Sequence, residues 1–337
     1  MSVLITGGAG YIGSHTSLLF LEAGHDVVVV DNLANSHLKS LERVAEITGR
    51  KVHFEKVDIR DKDGLSKVIK THGCESVVHF AGLKAVGESN EIPLVYYDNN
   101  IVGTLKLLQA MSECNVHKII FSSSATVYGV PQYLPLTEDH PLGAINPYGR
   151  TKQMIEDILR DLAASDPRWS IMLLRYFNPV GSHESGLIGE NPVGIPNNLM
   201  PFIAQVASGR RDMLSVFGDD YETDDGTGVR DYIHVMDLAN GHLAAHDKLT
   251  KAGCHAINLG TGTGYSVMEM IRAFERSSNQ KIAYKIAPRR EGDVASCYAD
   301  TKLAKNELGW IAERDLEAMC ADTWSWIRKN PKGYEEE

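Results

Sequence analysis

The sequence predicts an α/β fold, with a doubly wound parallel sheet followed by a smaller C-terminal α/β lobe. Strand-like and helix-like segments alternate through the first half of the chain, from Val3 to Leu174. The strand-like segments are continuously apolar, which is typical of a parallel sheet covered on both faces. After about Phe177 the alternation becomes irregular and the chain is rich in Gly, Pro and Asn. This change indicates a second lobe, and the predicted domains are residues 1–177 and 178–337, with some C-terminal segments allowed to return to the first domain.

The predicted elements follow from apolar periodicity and from Gly and Pro as punctuation. Strands are predicted at residues 3–6, 26–30, 52–57, 76–80, 118–121 and 170–174. Helices are predicted at residues 11–23, 37–48, 62–71, 93–114, 147–164, 199–208 and 315–329. Gly24 and Gly49 directly follow the first two helices, and Pro147 suits the first turn of another.

Composition excludes several classes of protein. The 337 residues are 43% hydrophobic and 23% charged, which fits a globular protein with a sizeable core. A net charge of −10 argues against nucleic acid or an anionic membrane as partner. The five cysteines form no C-x-x-C pair, so no metal site is predicted and a reducing cytoplasmic compartment fits best. We expect no signal peptide, since only Met1 and Ser2 precede the first strand, and no apolar run approaches the roughly 18 residues of a membrane span.

Residues 6–13 read Thr-Gly-Gly-Ala-Gly-Tyr-Ile-Gly between the first predicted strand and helix. Gly7, Gly10 and Gly13 allow a tight turn, a close approach of the backbone to a pyrophosphate, and close packing of the helix. The N–H groups at the helix start then face the phosphates. Asp31, after the next strand, can accept both ribose hydroxyls of an adenosine and favours NAD over NADP. The stretch predicts a Rossmann-type NAD site; the alternative is a glycine-rich turn that only connects packed elements.

Tyr148 and Lys152 lie four residues apart on a predicted helix and therefore share one face. A nearby ammonium lowers the pKa of a phenol, so Tyr148 could act as a base near neutral pH. Ser122, Ser123 and Ser124 close a predicted strand, where a serine can donate a hydrogen bond to a substrate oxygen. Taken alone, the pair could be a surface pair and the serines an ST-turn.

With the glycine loop, these features resemble the extended short-chain dehydrogenase/reductase family. Longer stretches are similar to one group within it, the UDP-glucose 4-epimerases, nearly from end to end. They are HFAGLKAVGES at 79–89, YDNN at 97–100, FSSSATVYG at 121–129, LRYFNPVG at 174–181, GIPNNLMP at 194–201 and DGTGVRDYIHV at 225–235.

The resemblance implies site residues on both halves of the chain. The implied NAD site comprises Gly7, Gly10, Tyr11, Ile12, Gly13, Asp31, Asn32, Asn35, Ser36, Asp58, Ile59, Phe80, Ala81, Gly82, Lys84, Asn99, Ser122, Tyr148, Lys152, Tyr176 and Phe177. The implied UDP-sugar site comprises Lys84, Ser124, Ala125, Thr126, Tyr148, Asn178, Asn198, Leu199, Phe217, Arg230, Arg290, Asp293 and Cys297. Tyr148, Lys152 and Ser124 are the implied catalytic residues. Arginine forks suit a pyrophosphate, although each arginine alone would read as a surface residue.

The implied reaction is NAD-dependent 4-epimerisation of UDP-glucose and UDP-galactose. The sugar is oxidised transiently at C4, the 4-keto sugar rotates while UDP stays anchored, and hydride returns to the other face. No net redox change occurs, so NAD is expected to stay bound. The resemblance also implies a homodimer, whose interface could involve the helices near 93–114 and 147–164.

One position departs from the family pattern. Members restricted to plain hexoses resemble one another in a bulky Tyr four residues after the Asp of Arg-x-Gly-Asp, whereas this chain has Cys297 there, after Asp293. A thiol leaves room for an acetamido group, so UDP-GlcNAc and UDP-GalNAc are expected as additional substrates. The alternative is that Cys297 is a neutral packing residue.

Two other functions remain open at this point. A nucleotide-sugar 4,6-dehydratase shares the fold, the cofactor and the Tyr/Lys pair, but that family has Asp-Glu where this chain has Ala125 and Thr126. A non-catalytic NAD-sensing protein of the same fold would usually lack the intact Tyr-x-x-x-Lys. The acidic pairs at 219–220 and 224–225 lack EF-hand spacing and predict no calcium site.

Overall fold

The computed structural model describes residues 1–192, 194, 196, 198–290 and 292–335. Its strands are β1 Ser2–Thr6, β2 Asp26–Asp31, β3 His53–Lys56, β4 Cys74–His79, β5 Lys118–Ser124, β6 Ser170–Tyr176, β7 Asn178–Val180, β8 Leu214–Phe217, β9 Val229–His234, β10 Gly253–Leu259, β11 Gly264–Ser266, β12 Tyr284–Ala287 and β13 Ser296–Cys297.

Its α-helices are α1 Tyr11–Glu22, α2 Leu38–Thr48, α3 Lys62–His72, α4 Val86–Glu91, α5 Pro93–Tyr96, α6 Gly103–Glu113, α7 Pro147–Ser165, α8 Leu199–Ala207, α9 Val235–Asp247, α10 Val267–Ser278, α11 Lys302–Leu308 and α12 Leu316–Lys329. None of the helices in the described part of the chain is long and apolar enough to cross a membrane.

The first compact unit comprises residues 1–129, 142–175 and 239–257. Its sheet has the strand order β10-β6-β5-β4-β1-β2-β3, and the pairs from β3 through β2, β1 and β4 to β5 are parallel. Helix α1 packs against α2, and α3 packs against α6. The predicted doubly wound α/β fold is confirmed. Because the strand order reverses between β1 and β4, ligands are expected beyond the carboxyl ends of these strands.

The core of the first unit joins strands to helices through fully buried aliphatic side chains. Val28, Val77 and Ile119 on three strands of the sheet belong to one cluster with Leu107 of α6 and Leu159 of α7. Such side chains each contribute roughly 1.5–3 kcal/mol when they are removed from water. The cluster therefore fixes α7, the helix that carries Tyr148 and Lys152, against the sheet.

The second compact unit comprises the described residues within 130–141, 176–238 and 258–337. Strand β9 pairs with β7, β11 and β13, and β8 pairs with β12. Ile203 of α8, Phe274 of α10 and Met319 of α12 pack with Tyr232 of β9 in its core. The division at residue 177 into two domains stays a prediction.

The predicted helix at 93–114 differs from the structure. Helix α5 passes into a π-helical turn, Tyr97–Val102, before α6 begins at Gly103. An extra helix, α4, precedes α5. The π turn widens the helix by one residue per turn where Asn99 and Asn100 stand, and such turns are frequent at functional sites.

Candidate active site

The loop between β1 and α1 requires glycine at positions 7 and 13. Gly7 has φ +70°, and its N–H donates to the Val30 carbonyl at 2.8 Å. A Cβ on Gly13 would lie 2.4 Å from the Gly7 carbonyl oxygen, and a Cβ on Gly7 would lie 2.7 Å from the Ala81 nitrogen. Gly10 is the N-cap of α1 and offers no side chain to cap the first turn, which begins with Tyr11 and Ile12. The backbone cradle and the amide donors of α1 fit a bound pyrophosphate.

Asp31 ends β2 and reaches back to the glycine loop. One carboxylate oxygen accepts from the Ala9 N–H at 3.1 Å. The other accepts from the Leu33 N–H at 2.9 Å and from the Ser36 hydroxyl at 2.8 Å. These bonds hold the carboxylate beside the loop, which is the position that a contact with an adenosine ribose requires.

Asn32 and Asp58 form a second polar group near the same strand ends. The Asn32 amide donates to an Asp58 carboxylate oxygen at 3.0 Å, and Arg60 binds Asp58 through two nitrogens at 2.9 Å. The hydrogen bonds from Arg60 hold the pKa of Asp58 well below its ordinary range. Ile59 is buried against Gly103, where a Cβ would lie 2.4 Å from the Ile59 Cδ1. Asn35 lies exposed in the loop before α2.

Phe80, Ala81, Gly82 and Lys84 form the loop after β4, and Asn100 fixes that loop. The side-chain oxygen of Asn100 accepts from the Leu83 N–H at 2.8 Å. The side-chain nitrogen of Asn100 donates to the Leu83 carbonyl at 3.0 Å and to the Thr151 hydroxyl at 3.1 Å. Asn99 donates to the Asn100 side chain at 2.9 Å. Asn100 therefore connects the loop to α7. Asn100 was not predicted as a site residue, although it adjoins Asn99 in the YDNN stretch.

Ser124, Tyr148 and Lys152 come together where β5 ends and α7 begins. The Lys152 ammonium donates to the Ser122 carbonyl at 2.6 Å and lies 5.9 Å from the centre of the Tyr148 ring. Ser124 forms a side-chain hydrogen bond with Tyr148. Its hydroxyl also accepts from the Thr126 N–H at 3.2 Å. Base, ammonium and hydroxyl donor are therefore neighbours within one unit.

The electrostatics of this group differ from the sequence-based expectation. Burial raises the pKa of Tyr148, and the hydrogen bond to Ser124 opposes that rise. Burial also lowers the pKa of Lys152 to about 8, while the carboxylate of Glu156 acts to raise it. The expected lowering of the Tyr148 pKa by Lys152 was wrong for the protein alone, because desolvation is the largest effect on both groups.

Glu156 stands one helical turn beyond Lys152 and is fully buried. Its carboxylate accepts from Ser123 at 2.6 Å and from two nitrogens of Arg175 at 2.9 and 2.7 Å. The hydrogen bonds from Arg175 hold its pKa below the ordinary value against the effect of burial. This pair was not predicted, and the sequence signal that could have pointed to it is the Tyr-x₃-Lys-x₃-Glu spacing on α7.

Ala125 and Thr126 lie in a 3₁₀ turn directly after Ser124. The buried Thr126 hydroxyl oxygen has no hydrogen-bond partner among the described residues. A buried hydroxyl in this state is expected to bond a ligand or a water molecule. Thr126 therefore fits its predicted place in the sugar site.

The second unit brings five of the predicted UDP contacts together. Arg290 donates to the Asp293 carboxylate at 2.9 Å, and Arg230 lies 3.8 Å from the same carboxylate. The Arg290 guanidinium stands 5.0 Å from the centre of the Phe217 ring. Cys297 pairs with Arg230 in the register of β13 and β9, and burial raises the pKa of its thiol to about 11. Two guanidinium groups beside an aromatic ring can bind a diphosphate and stack a base.

The remaining predicted residues of the second unit lie on other elements. Asn178 begins β7 and is paired with Tyr232 of β9. Asn198 is the N-cap of α8, which begins at Leu199, and its amide donates to Glu190 at 3.4 Å. The predicted NAD contacts Tyr176 and Phe177 are both buried, at and just after the end of β6.

Known proteins are similar to this chain over nearly its whole length. A family model described as GDP-mannose 4,6 dehydratase matches residues 4–323. The chain is 59% identical to the UDP-glucose 4-epimerase of Bacillus subtilis (strain 168), over 99% of both chains. It is 58% identical to that of Mus musculus, over 98% of both. The crystal structure of UDP-glucose 4-epimerase from Bifidobacterium longum, in complex with NAD⁺ and UDP, has a TM-score of 0.96 and 54% identity, and covers 99% of this chain and 100% of that one.

Proposed function

The chain belongs to the extended short-chain dehydrogenase/reductase family and, within it, to the UDP-glucose 4-epimerases, and on that premise we propose that it interconverts UDP-glucose and UDP-galactose with bound NAD. The observation that carries this proposal is the grouping of Tyr148, Lys152 and Ser124 in the unit that also holds the glycine cradle. A base beside a dinucleotide site suits the removal of hydrogen from a secondary alcohol.

The side chains of the first unit have distinct tasks in this reaction. Tyr148 takes the proton of the sugar 4-hydroxyl, and Lys152 stabilises the phenolate by its charge. Ser124 orients the sugar through the hydroxyl that bonds Tyr148 in the free protein. NAD, when bound, supplies the reversible acceptor for the hydrogen and the two electrons that leave C4. Tyr148 returns its proton when the sugar is reduced on the other face.

The candidate UDP contacts hold the part of the substrate that does not react. Arg230 and Arg290 neutralise the diphosphate, and Phe217 offers a face to the uracil. Asp293, which both arginines approach, is suited to accept from the ribose hydroxyls. Binding energy concentrated on UDP leaves the sugar free enough to rotate between the two hydrogen transfers.

The family model named for a dehydratase does not change the preferred reaction. Elimination of water needs an acid and a base besides the Tyr/Lys pair. Ala125 and Thr126 occupy the turn after Ser124, where the dehydratases that this chain resembles carry Asp-Glu. Neither residue can exchange a proton at neutral pH, so the site favours epimerisation.

We also propose UDP-GlcNAc and UDP-GalNAc as substrates. Cys297 is paired in register with Arg230, so its small side chain stands beside the candidate diphosphate site. A thiol there leaves space that the phenol of a Tyr would occupy.

A homodimer and a cytoplasmic location complete the proposal. Apolar side chains are exposed on the predicted interface helices, at Leu94, Val95, Leu105 and Met154. A second copy of the chain would remove them from water. All five cysteines are free thiols, which fits a reducing compartment.

The test is a product assay on purified protein without added NAD, with UDP-galactose and UDP-GalNAc supplied separately. Epimers of both substrates are expected. Tyr148→Phe is expected to bind UDP normally but to lose on the order of 10²–10⁴-fold in kcat. A 4-keto-6-deoxy product would replace the proposal with the dehydratase reaction, and an NAD-loaded protein that turns over neither substrate would leave the sensor function.

A further inference from the structure

Three potential metal ligands meet in the first unit, outside the candidate active site. His25 lies between α1 and β2, and His246 and Asp247 are the last two residues of α9. One ligand atom from each residue lies within 4.8 Å of those from the other two. The two imidazole rings are 5.0 Å apart, centre to centre, at an interplanar angle of 79°.

We propose that His25, His246 and Asp247 bind one divalent transition-metal ion of the Zn²⁺ class. Two imidazoles and one carboxylate are a ligand set that Zn²⁺ and Co²⁺ accept, with water completing the coordination. Three atoms no more than 4.8 Å apart fit inside a circle of about 2.8 Å radius (4.8/√3), compared with Zn–N bonds of about 2.0–2.1 Å. Movements below about 1 Å therefore close the site, and the exposed Asp247 and half-buried His25 have room to make them.

The surroundings orient the least mobile ligand. His246 is buried, and its Nε2 is 2.9 Å from the Ser76 hydroxyl of β4. We assign Nδ1 as the ligand atom, since a metal-binding imidazole usually has its other nitrogen held by a hydrogen bond. Phe20 packs against both imidazole rings, at 5.5 and 5.1 Å between ring centres. The end of α9 also adds the negative pole of the helix dipole, which favours a cation.

The position of the cluster determines what a bound ion does. His25 precedes the amino end of β2, and Ser76 lies near the amino end of β4. Ser124 ends β5 and the glycine loop follows β1, so both lie at the carboxyl ends of their strands, where Tyr148 of α7 lies beside Ser124. A bound ion would therefore join the amino end of β2 to the end of α9 and stabilise the unit, with no contact to the reacting groups.

The test measures metal binding and stability of the NAD-loaded protein, after treatment with a chelator. Wild type is expected to bind one equivalent of Co²⁺, with a visible ligand-field spectrum that Zn²⁺ displaces, and its Tm is expected to rise by about 3 °C in saturating Zn²⁺. Asp247→Asn, at an exposed position, and His246→Gln are each expected to lose at least about tenfold in affinity. Ser76→Ala, which removes the orienting hydroxyl, is expected to lose about tenfold.

His255→Gln serves as the control, because His255 lies on β10 outside the cluster. This variant is expected to bind Co²⁺ as tightly as wild type does. Circular dichroism of each variant without metal checks that the fold is intact. Absence of saturable binding by wild type would overturn the proposal. Equal affinity in wild type and Asp247→Asn would do the same, since the ion would then be bound elsewhere.

Discussion

At the scale of single residues, burial dominates the charge states of the candidate catalytic pair. It raises the pKa of Tyr148 and lowers that of Lys152 to about 8, so both groups are pushed toward their neutral forms. Glu156 opposes the effect on Lys152 from one turn away on α7. Arg175, bonded to Glu156, keeps that carboxylate charged. The buried Glu156–Arg175 pair thus helps to keep the ammonium of Lys152 charged beside the phenol of Tyr148, which must lose a proton.

The size of the side chain at position 297 gives the prediction that belongs to this scale. Cys297→Tyr fills the space beside Arg230 and is expected to lower kcat/KM for UDP-GalNAc on the order of 10²-fold, because the acetamido group clashes with the phenol. Turnover of UDP-galactose is expected to stay within a few-fold of wild type. The measurement is kcat/KM for both substrates.

Cys297→Ser is the matched control, since it keeps the volume of the side chain and is expected to keep both activities. Loss of both activities in Cys297→Tyr, or of neither, would contradict the role of this position as a wall of the sugar pocket.

At the scale of elements, the turn from β1 into α1 depends on contacts that no side chain can enter. A Cβ on Gly13 would lie 2.4 Å from the Gly7 oxygen and 2.6 Å from the Gly8 Cα, both backbone atoms. A Cβ on Gly87 of α4 would have no atom within 4 Å. Comparing Ala substitutions at Gly13 and Gly87 therefore separates the effect of a clash in the glycine loop from the general effect of replacing a helical glycine.

Gly13→Ala is expected to purify with little bound NAD and to lose roughly 1–3 kcal/mol of unfolding free energy, because the loop must move to admit the methyl group. Gly87→Ala is expected to keep the NAD content of wild type and to be at least as stable, because Ala is more favourable than Gly in a helix by up to about 1 kcal/mol. NAD released by acid and urea unfolding curves provide the measurements. Wild-type NAD content in Gly13→Ala would show that the cradle tolerates the displacement.

His79 connects three elements and makes the fold sensitive to acid. Its Nδ1 lies 2.7 Å from the Thr6 hydroxyl of β1, and its Nε2 lies 2.9 Å from the Thr104 hydroxyl of α6. Burial lowers its pKa to about 3, so the ring is neutral in the folded protein. His79 takes up a proton near pH 6.5 in the unfolded chain, but only near pH 3 in the folded protein. Stability is therefore lost as pH falls through this range.

His79→Gln is expected to reduce this pH dependence by up to about 1.4 kcal/mol per pH unit between pH 6 and pH 4. The variant is less stable than wild type at pH 7, and the difference narrows as the pH falls. Urea midpoints at several pH values give the comparison. Parallel pH profiles for the two proteins would contradict the assignment to His79.

At the scale of the whole molecule, exposed apolar side chains predict the oligomeric state. Leu94 of α5 is 80% exposed and Val95 is 49% exposed. We expect light scattering to give a mass twice 37.1 kDa for wild type. Leu94→Glu is expected to shift the equilibrium toward monomer, because a charge replaces apolar contact area. Ile311→Glu, at a 51% exposed position outside the predicted interface helices, is expected to remain dimeric. A monomeric wild type would remove the homodimer from the proposal.

Local patterns predicted most elements of the first half of the chain, whereas most elements of the second half and the long-range partners were not predicted. The six predicted strands and most of the predicted helices lie within a few residues of their expected bounds, because their apolar periods and their Gly and Pro signals are local. Strands β7 to β13 and helices α4, α9, α10 and α11 were not predicted. The π turn at Tyr97–Val102 could not be predicted, since the side-chain amide of Asn100 within it bonds to Leu83 and Thr151, which are distant in the sequence. The Glu156–Arg175 pair was missed for the same reason. Arg230, Arg290 and Asp293 were predicted only through family resemblance, and their grouping depends on strand register.

The place of β10 in the sheet has a consequence for biosynthesis. The first unit takes residues 239–257 from late in the chain, and β10 bonds to β6 at the edge of the sheet. A ribosome must therefore finish the 176–238 segment of the second unit before the strand that covers β6 emerges. Until then the nascent sheet presents the backbone groups of β6 to any neighbouring chain, which is a route to aggregation. The first unit of this protein thus cannot be completed during translation before three quarters of the chain has been made.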